Sequence, residues 1–90
     1  MPITSAERKN LLPRCSHLKP VVIVGNAGVT DAVLAELDQA LLAHELVKVR
    51  VNAGDRTERR SMTERLAAAT GADLVQAIGH VIVLFRPSPD

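Results

Sequence analysis

The 90 residues predict a single α/β domain, elements in the order α-β-α-β-α-β-β, with a four-stranded mixed sheet and helices on its faces. Three observations carry that prediction. Val21-Val22-Ile23-Val24 is a continuous β-branched run, the pattern of a central strand buried on both faces. Leu46 to Val51 alternates, with Val47, Val49 and Val51 on one side and Lys48 and Arg50 on the other, as a strand with a solvated basic face does. Between the two, Val33, Leu34, Leu37, Leu41 and Leu42 recur at helical spacing and form one apolar stripe.

The remaining elements follow from local signals. Thr4 with Glu7 three residues on reads as a capping box, opening a first helix that runs toward Leu18 and stops before Lys19-Pro20. Pro13 lies inside it and should kink or shorten it, or else begin its second half. Thr30 is a suitable N-cap for the second helix, through about Ala43. Asp55 followed by Glu58 opens a third, whose inner face holds Met62, Leu66 and Ala69 and which stops at Gly71. Leu74 to Ile78 and Val81 to Phe85 read as strands joined by the two-residue turn Gly79-His80. Strand-helix-strand steps imply right-handed crossovers and a parallel core, with the last hairpin adding an antiparallel pair. The whole chain, residues 1–90, is expected to be one domain with an ordered core over about 4–87.

Composition narrows the function. Hydrophobic residues make up 47% of the chain, but Phe85 is its one aromatic residue, so a single-strand binder that stacks bases on aromatic platforms is disfavoured. Cys15 is alone and cannot form an internal disulfide, and no Cys/His cluster has the spacing of a zinc site. No cofactor and no metal are expected. The first residues contain no apolar leader and no stretch approaches bilayer length, so the expectation is a cytoplasmic protein without membrane contact. His17, His44 and His80 fall near helix ends and a hairpin turn, where backbone or solvent hydrogen bonds are their usual role. Cys15 reads as a small apolar filler.

Net charge is +1, but unevenly spread. Four cations against one acid give residues 1–20 a charge of +3, while four acids and no cation give 21–45 a charge of −4. Residues 46–60 return to +3, with five cations against two acids. Gly25-Asn26-Ala27-Gly28 joins the β-branched run to a helix capped by Thr30. A G-x-x-G turn there lets backbone approach a phosphate, with the amides of the following helix directed at the anion. Taken alone, the motif is weak, and a plain strand-to-helix turn is the preferred reading. Lys19, Lys48, Arg50, Arg56, Arg59 and Arg60 could together line a groove for phosphates. Arginines at a helix start oppose the macrodipole, a hint that they serve a partner.

Three stretches carry a family resemblance: His17-Leu18-Lys19-Pro20-Val21-Val22 leading into Gly25-Asn26-Ala27-Gly28-Val29-Thr30; His44-Glu45-Leu46-Val47-Lys48-Val49; and Gly71-Ala72-Asp73-Leu74-Val75-Gln76 with Ile78-Gly79. In this order and spacing the chain resembles the YhbY family, the free-standing bacterial form of the CRM (chloroplast RNA splicing and ribosome maturation) domain. The resemblance implies a fold similar to the C-terminal domain of translation initiation factor three, and a non-enzymatic RNA-binding role on precursors of the large ribosomal subunit. It places RNA contact at Gly25, Gly28, Lys19, Lys48 and the basic start of the third helix. The family's loop commonly carries Lys or Arg between its glycines, where this chain has Asn26 and Ala27.

Two other classes remain open on sequence. A protein-interaction module would dock a basic ribosomal protein on the acidic second helix, through Glu36, Asp38 and Glu45. A small phosphate-handling enzyme would need a nucleophile or paired acids at the glycine loop, and Asp31 is the one acid near it in sequence. A monomer is expected, because the apolar residues are used up once the core is assigned.

Overall fold

The structure, a computed structural model, describes residues 3–87. Its elements are α1 (Ser5–Cys15), β1 (Pro20–Val24), α2 (Asp31–His44), β2 (Leu46–Val51), α3 (Arg56–Thr70), β3 (Asp73–Ile78) and β4 (Val81–Phe85), the predicted order. Each helix starts at the polar residue the sequence singles out. Thr4 and Glu7 form a reciprocal capping box: the Thr4 hydroxyl accepts from the Glu7 amide at 3.1 Å, and the Glu7 carboxylate from the Thr4 amide at 3.2 Å. Thr30 accepts from the Val33 amide at 3.2 Å and Asp55 from the Glu58 amide at 2.9 Å. These caps satisfy amides that a helix start otherwise leaves unpaired. α1 ends at Cys15, three residues short of Leu18, with Pro13 inside its last turn; beyond it the chain tightens into turns, the His17 amide donating to the Arg14 carbonyl at 3.3 Å and the Leu18 amide to the Cys15 carbonyl at 3.2 Å. The Ser16 hydroxyl then donates to the Pro13 carbonyl at 3.1 Å.

The strands lie in the order β1-β2-β4-β3. β1 and β2 pair in parallel, whereas β4 is antiparallel to both neighbours. β1, β2 and β3 therefore run the same way, with β4 inserted between β2 and β3 in the opposite sense. A bulge interrupts β3 between Leu74 and Gln76. It shifts the alternation so that Leu74 and Ala77, three residues apart, face the α2/α3 side, opposite Leu84 and Ile82, while Val75 packs toward α1.

Two cores sandwich the sheet. Val22, Val24, Val47, Val49, Val51, Ile82 and Leu84 meet Leu37, Leu41 and Leu66 of α2 and α3 on one face. On the other, Leu11 and Cys15 of α1 meet Leu46, Val75 and Val83. Arg86 ties the first core shut at its far end. Its guanidinium donates to the Asp38 carboxylate and the Thr70 carbonyl, both at 2.7 Å, and to the Asp38 carbonyl at 3.2 Å. Sequence pattern gave no sign of this clamp, which joins residues 48 apart.

Four expectations are corrected. β1 is an edge strand, not a central one: Val22 and Val24 are buried, but Val21 and Ile23 are 49% and 58% exposed. The β-branched run misleads because α1 lies over β3 and not over β1, leaving that strand's second face uncovered. Leu42 falls outside the α2 stripe at 51% exposure, since Leu37 and Leu41 already fill the contact. Ala69 is exposed, and the buried line of α3 is Thr63, Leu66 and Thr70. Threonine is tolerated there because the two hydroxyls donate to the Arg59 and Leu66 carbonyls at 2.8 and 2.7 Å. Finally, apolar surface is left over. Ile23 and Ile78, the latter 65% exposed, lie in one cross-strand row with Arg50 and Val81 between them on the face that α1 leaves open.

Leu66 is fully buried between α3 and the sheet. Leu66→Ala is expected to lower the unfolding free energy by about 2–5 kcal/mol in urea denaturation. Ala69→Ser, on the exposed side of the same helix, should change it by less than about 0.5 kcal/mol.

Candidate functional site

Three parallel strands and a returning hairpin bring every loop that follows β1, β2 and β3 to one edge of the sheet. Open α/β sheets bind ligands at that carboxyl edge. Here it collects the glycine turn, the 52–55 connection leading into α3, and the Gly79-His80 turn. Short backbone bonds lock the three together: the Asn52 amide donates to the Val24 carbonyl at 2.8 Å, and the Val51 amide to the His80 carbonyl at 2.6 Å. His80 Nδ1 lies 3.1 Å from the Val51 carbonyl. A carbonyl only accepts, so Nδ1 carries the hydrogen, which in the neutral imidazole leaves Nε2 as an acceptor.

Within the glycine turn, the Gly28 amide donates to the Gly25 carbonyl at 3.0 Å, closing a four-residue β-turn with Asn26 and Ala27 at its exposed tip. Only one of the two glycines needs its backbone freedom. Gly28 has φ +76°, in the left-handed region, and a side chain there would reach Met62 of α3. Gly25 has no positive φ, and a Cβ on it would meet nothing within 4 Å. The fold therefore does not require glycine at position 25. The Thr30 hydroxyl is committed to the α2 cap, so what this position offers a ligand is backbone.

The sequence-derived cations do not share one groove. Arg56, Arg59 and Arg60 stand in the first turns of α3, on the α2/α3 side of the edge. Arg59 is oriented by a bond of 3.0 Å from its guanidinium to the Gly54 carbonyl. Arg60 makes a loose pair with Glu64 at 3.6 Å, which contributes little at such exposure. Arg56 has neither an ion pair nor a hydrogen-bond partner among the described residues. Lys48 and Arg50 project from the opposite face of the sheet, in line with Leu46 under α1. Arg50 leans toward the loop edge, donating to the Asn52 side chain at 2.9 Å. Lys19 lies at the far end of β1, about 20 Å from Gly25 along an extended strand. There it joins Arg14, His17, His44 and Lys48 around a shallow cleft of about 320 Å³. Sequence reasoning missed Arg14, His17 and His44 as members of this second basic cluster, since only the fold brings residues 14–19 beside His44 and Lys48.

Against a catalytic centre, Asp31 sits alone in the first turn of α2. No group of three or more His, Cys, Asp or Glu among the described residues is placed to hold a metal ion. Burial pushes the Cys15 thiol up, an effect partly countered by Lys48 and Arg14. A protonated thiol at 2% exposure is a packing group. No helix of the described residues is long and apolar enough to cross a membrane.

Residues 3–86 match the CRS1 / YhbY (CRM) domain. The chain belongs to that family. A probable RNA-binding protein of Pseudomonas aeruginosa is 42% identical over 89 residues, covering 99% of this chain and 86% of the relative. An RNA-binding protein of Haemophilus influenzae is also 42% identical, with 98% and 89% covered. Among solved structures, that of a hypothetical protein of Staphylococcus aureus superposes with a TM-score of 0.85 at 28% identity, covering 98% of this chain and 92% of the other. This CRM-family chain thus shares its fold with that protein, and its relatives are named for RNA binding.

Two variants separate the roles of the loop glycines. Gly28→Ala should cost about 1–2 kcal/mol of stability, because its φ is strained for any side chain. Gly25→Ala should leave stability within about 0.5 kcal/mol of the parent. Equal losses in urea denaturation would show that both glycines serve the fold. A thiol reagent should label Cys15 at the rate of global unfolding, and rapid labelling of the native protein would contradict its burial.

Proposed function

We propose that the chain is a non-enzymatic RNA-binding protein that contacts phosphates through the carboxyl edge of its sheet. The observation that carries this reading is Gly25, a glycine on an exposed turn that the fold does not need and that leaves the backbone open to a close approach. Arg56, Arg59 and Arg60 flank the same edge, and three to five phosphate contacts would give a steep salt dependence. Asn26 and Ala27 supply no charge at the tip, so affinity rests on backbone amides and the α3 arginines. Lys48, Arg50 and Lys19 extend the positive surface along the other face, where a strand passing over β1 and β2 would meet them in turn.

The target is large-subunit rRNA in pre-ribosomal particles, in the cytoplasm of a bacterium; this rests on the resemblance to YhbY proteins. The chain acts as a monomer, since Arg50 interrupts the open apolar row and disfavours its packing against a second copy. Docking of a basic protein on α2 is the weaker reading. Of its three acids, Asp38 is already engaged by Arg86, and Glu45 stands at the helix C-cap with φ +62°.

Sedimentation of cell lysate at low and high salt, with an RNase-treated control, tests the assignment. Co-migration with large-subunit precursors that is lost with salt and with RNase supports it, and a protein that stays at the top of every gradient opposes it. In vitro, the Arg56→Gln/Arg60→Gln double variant should bind single-stranded RNA about tenfold more weakly, with the slope of log affinity against log salt reduced by about 1.4. An unchanged slope would remove these arginines from the contact.

A further inference from the structure

Between the first half of α3 and the β3-β4 hairpin lies a cleft of about 500 Å³. Its two walls differ in chemistry. The sheet provides an aliphatic floor of Leu74, Ala77 and Ile82, and α3 provides a rim of Arg56, Arg59 and Arg60. His80 and Thr63 close the ends. The β3 bulge creates the floor. By restarting the alternation after Leu74, it turns both Leu74 and Ala77 toward the cleft, the kind of re-aiming that bulges perform beside binding sites.

We propose that this cleft receives one unstacked RNA nucleotide, its base on the aliphatic floor and its phosphate against the α3 arginines. The inference rests on the RNA-binding reading and goes beyond it, because phosphate contact alone needs no apolar floor. The volume falls within the range of small-ligand pockets, about 300–1,000 Å³. A paired base inside a duplex cannot enter a concavity, so the ligand is an unpaired position in a loop, bulge or end, the usual target of specific RNA recognition. Aromatic stacking is not available here: Phe85, the chain's one aromatic residue, packs on the α1 side of the sheet. The flat guanidinium of an arginine supplies the alternative stacking surface. His80, with Nδ1 held by the Val51 carbonyl, presents Nε2 as an acceptor for an exocyclic amino group. Adenine, cytosine and guanine carry such a group and uracil does not, so the cleft should favour those three over uracil.

The test titrates AMP, UMP and inorganic phosphate separately into the full chain at matched ionic strength, following amide NMR shifts. It is paired with binding of a short single-stranded RNA to the parent and to Ala77→Ile. Ala77 is exposed on a strand, where isoleucine is well accepted, and the larger side chain occupies the floor while leaving every arginine in place. AMP should shift the amides of Ala77, Gly79 and His80 more than UMP does, and phosphate should not reproduce those shifts. Ala77→Ile should remove them and weaken the RNA about tenfold, within the contribution of one stacked base. If phosphate gives the same shifts as AMP, or if Ala77→Ile binds RNA as the parent does, the nucleotide site is overturned while salt-dependent RNA binding stands. Failure of the parent to bind RNA at any salt overturns both readings.

Discussion

The structure depends on β4 occupying the slot between β2 and β3. That strand hydrogen-bonds on both edges and contributes to both cores, Ile82 and Leu84 on the α2/α3 side and Val83 on the α1 side. Its insertion spaces β3 away from β2 without reversing it, so three strands point their carboxyl ends the same way. The glycine turn, the start of α3 and the hairpin tip consequently converge on one edge. Without β4 in that position, no local feature of the sequence would bring Gly25, Arg56 and His80 into one neighbourhood.

Coverage of the sheet is the second constraint. α2 and α3 cover one face, and α1, which ends at Cys15, covers only part of the other. What remains open is a strip in which Ile23, Arg50, Val81 and Ile78 lie side by side across all four strands. On the covered face, α3 stands away from the hairpin far enough to leave the arginine-rimmed cleft. The positive surface is thus divided by the sheet itself: α3 arginines on one side, Lys48 and Arg50 on the other, and Lys19 with Arg14 and two histidines at the amino end of β1.

Much of the fold was legible in sequence because the signals were local. Three helix caps, the Gly71 stop, the alternation of Leu46 to Val51 and the Gly79-His80 turn each involve residues a few positions apart. What escaped were properties of the assembled layers. A run such as Val21 to Val24 records that a strand is apolar on both sides, but not whether a helix arrives to cover the second side. The Thr63 and Thr70 positions on the inner line of α3 look polar by type and are apolar by context, because each hydroxyl returns to its own helix. At the site, the glycine loop and the α3 arginines were recognisable, whereas the separation of Lys19 from them and the cleft floor at Leu74 and Ala77 depend on strand order and on a bulge. Gly25 and Gly28 look alike in sequence, and only their backbone angles show that one serves the fold and the other is free to serve a partner.

The account stands on RNA being held at the carboxyl edge of the sheet. Ultraviolet crosslinking of the purified protein to single-stranded RNA, with the attached peptides identified by mass spectrometry, tests that placement most directly. Crosslinks concentrated at residues 25–30, 56–60 and 79–80 are the predicted result. Crosslinks confined to the outer faces of α1 and α2, with none at those three segments, would contradict it.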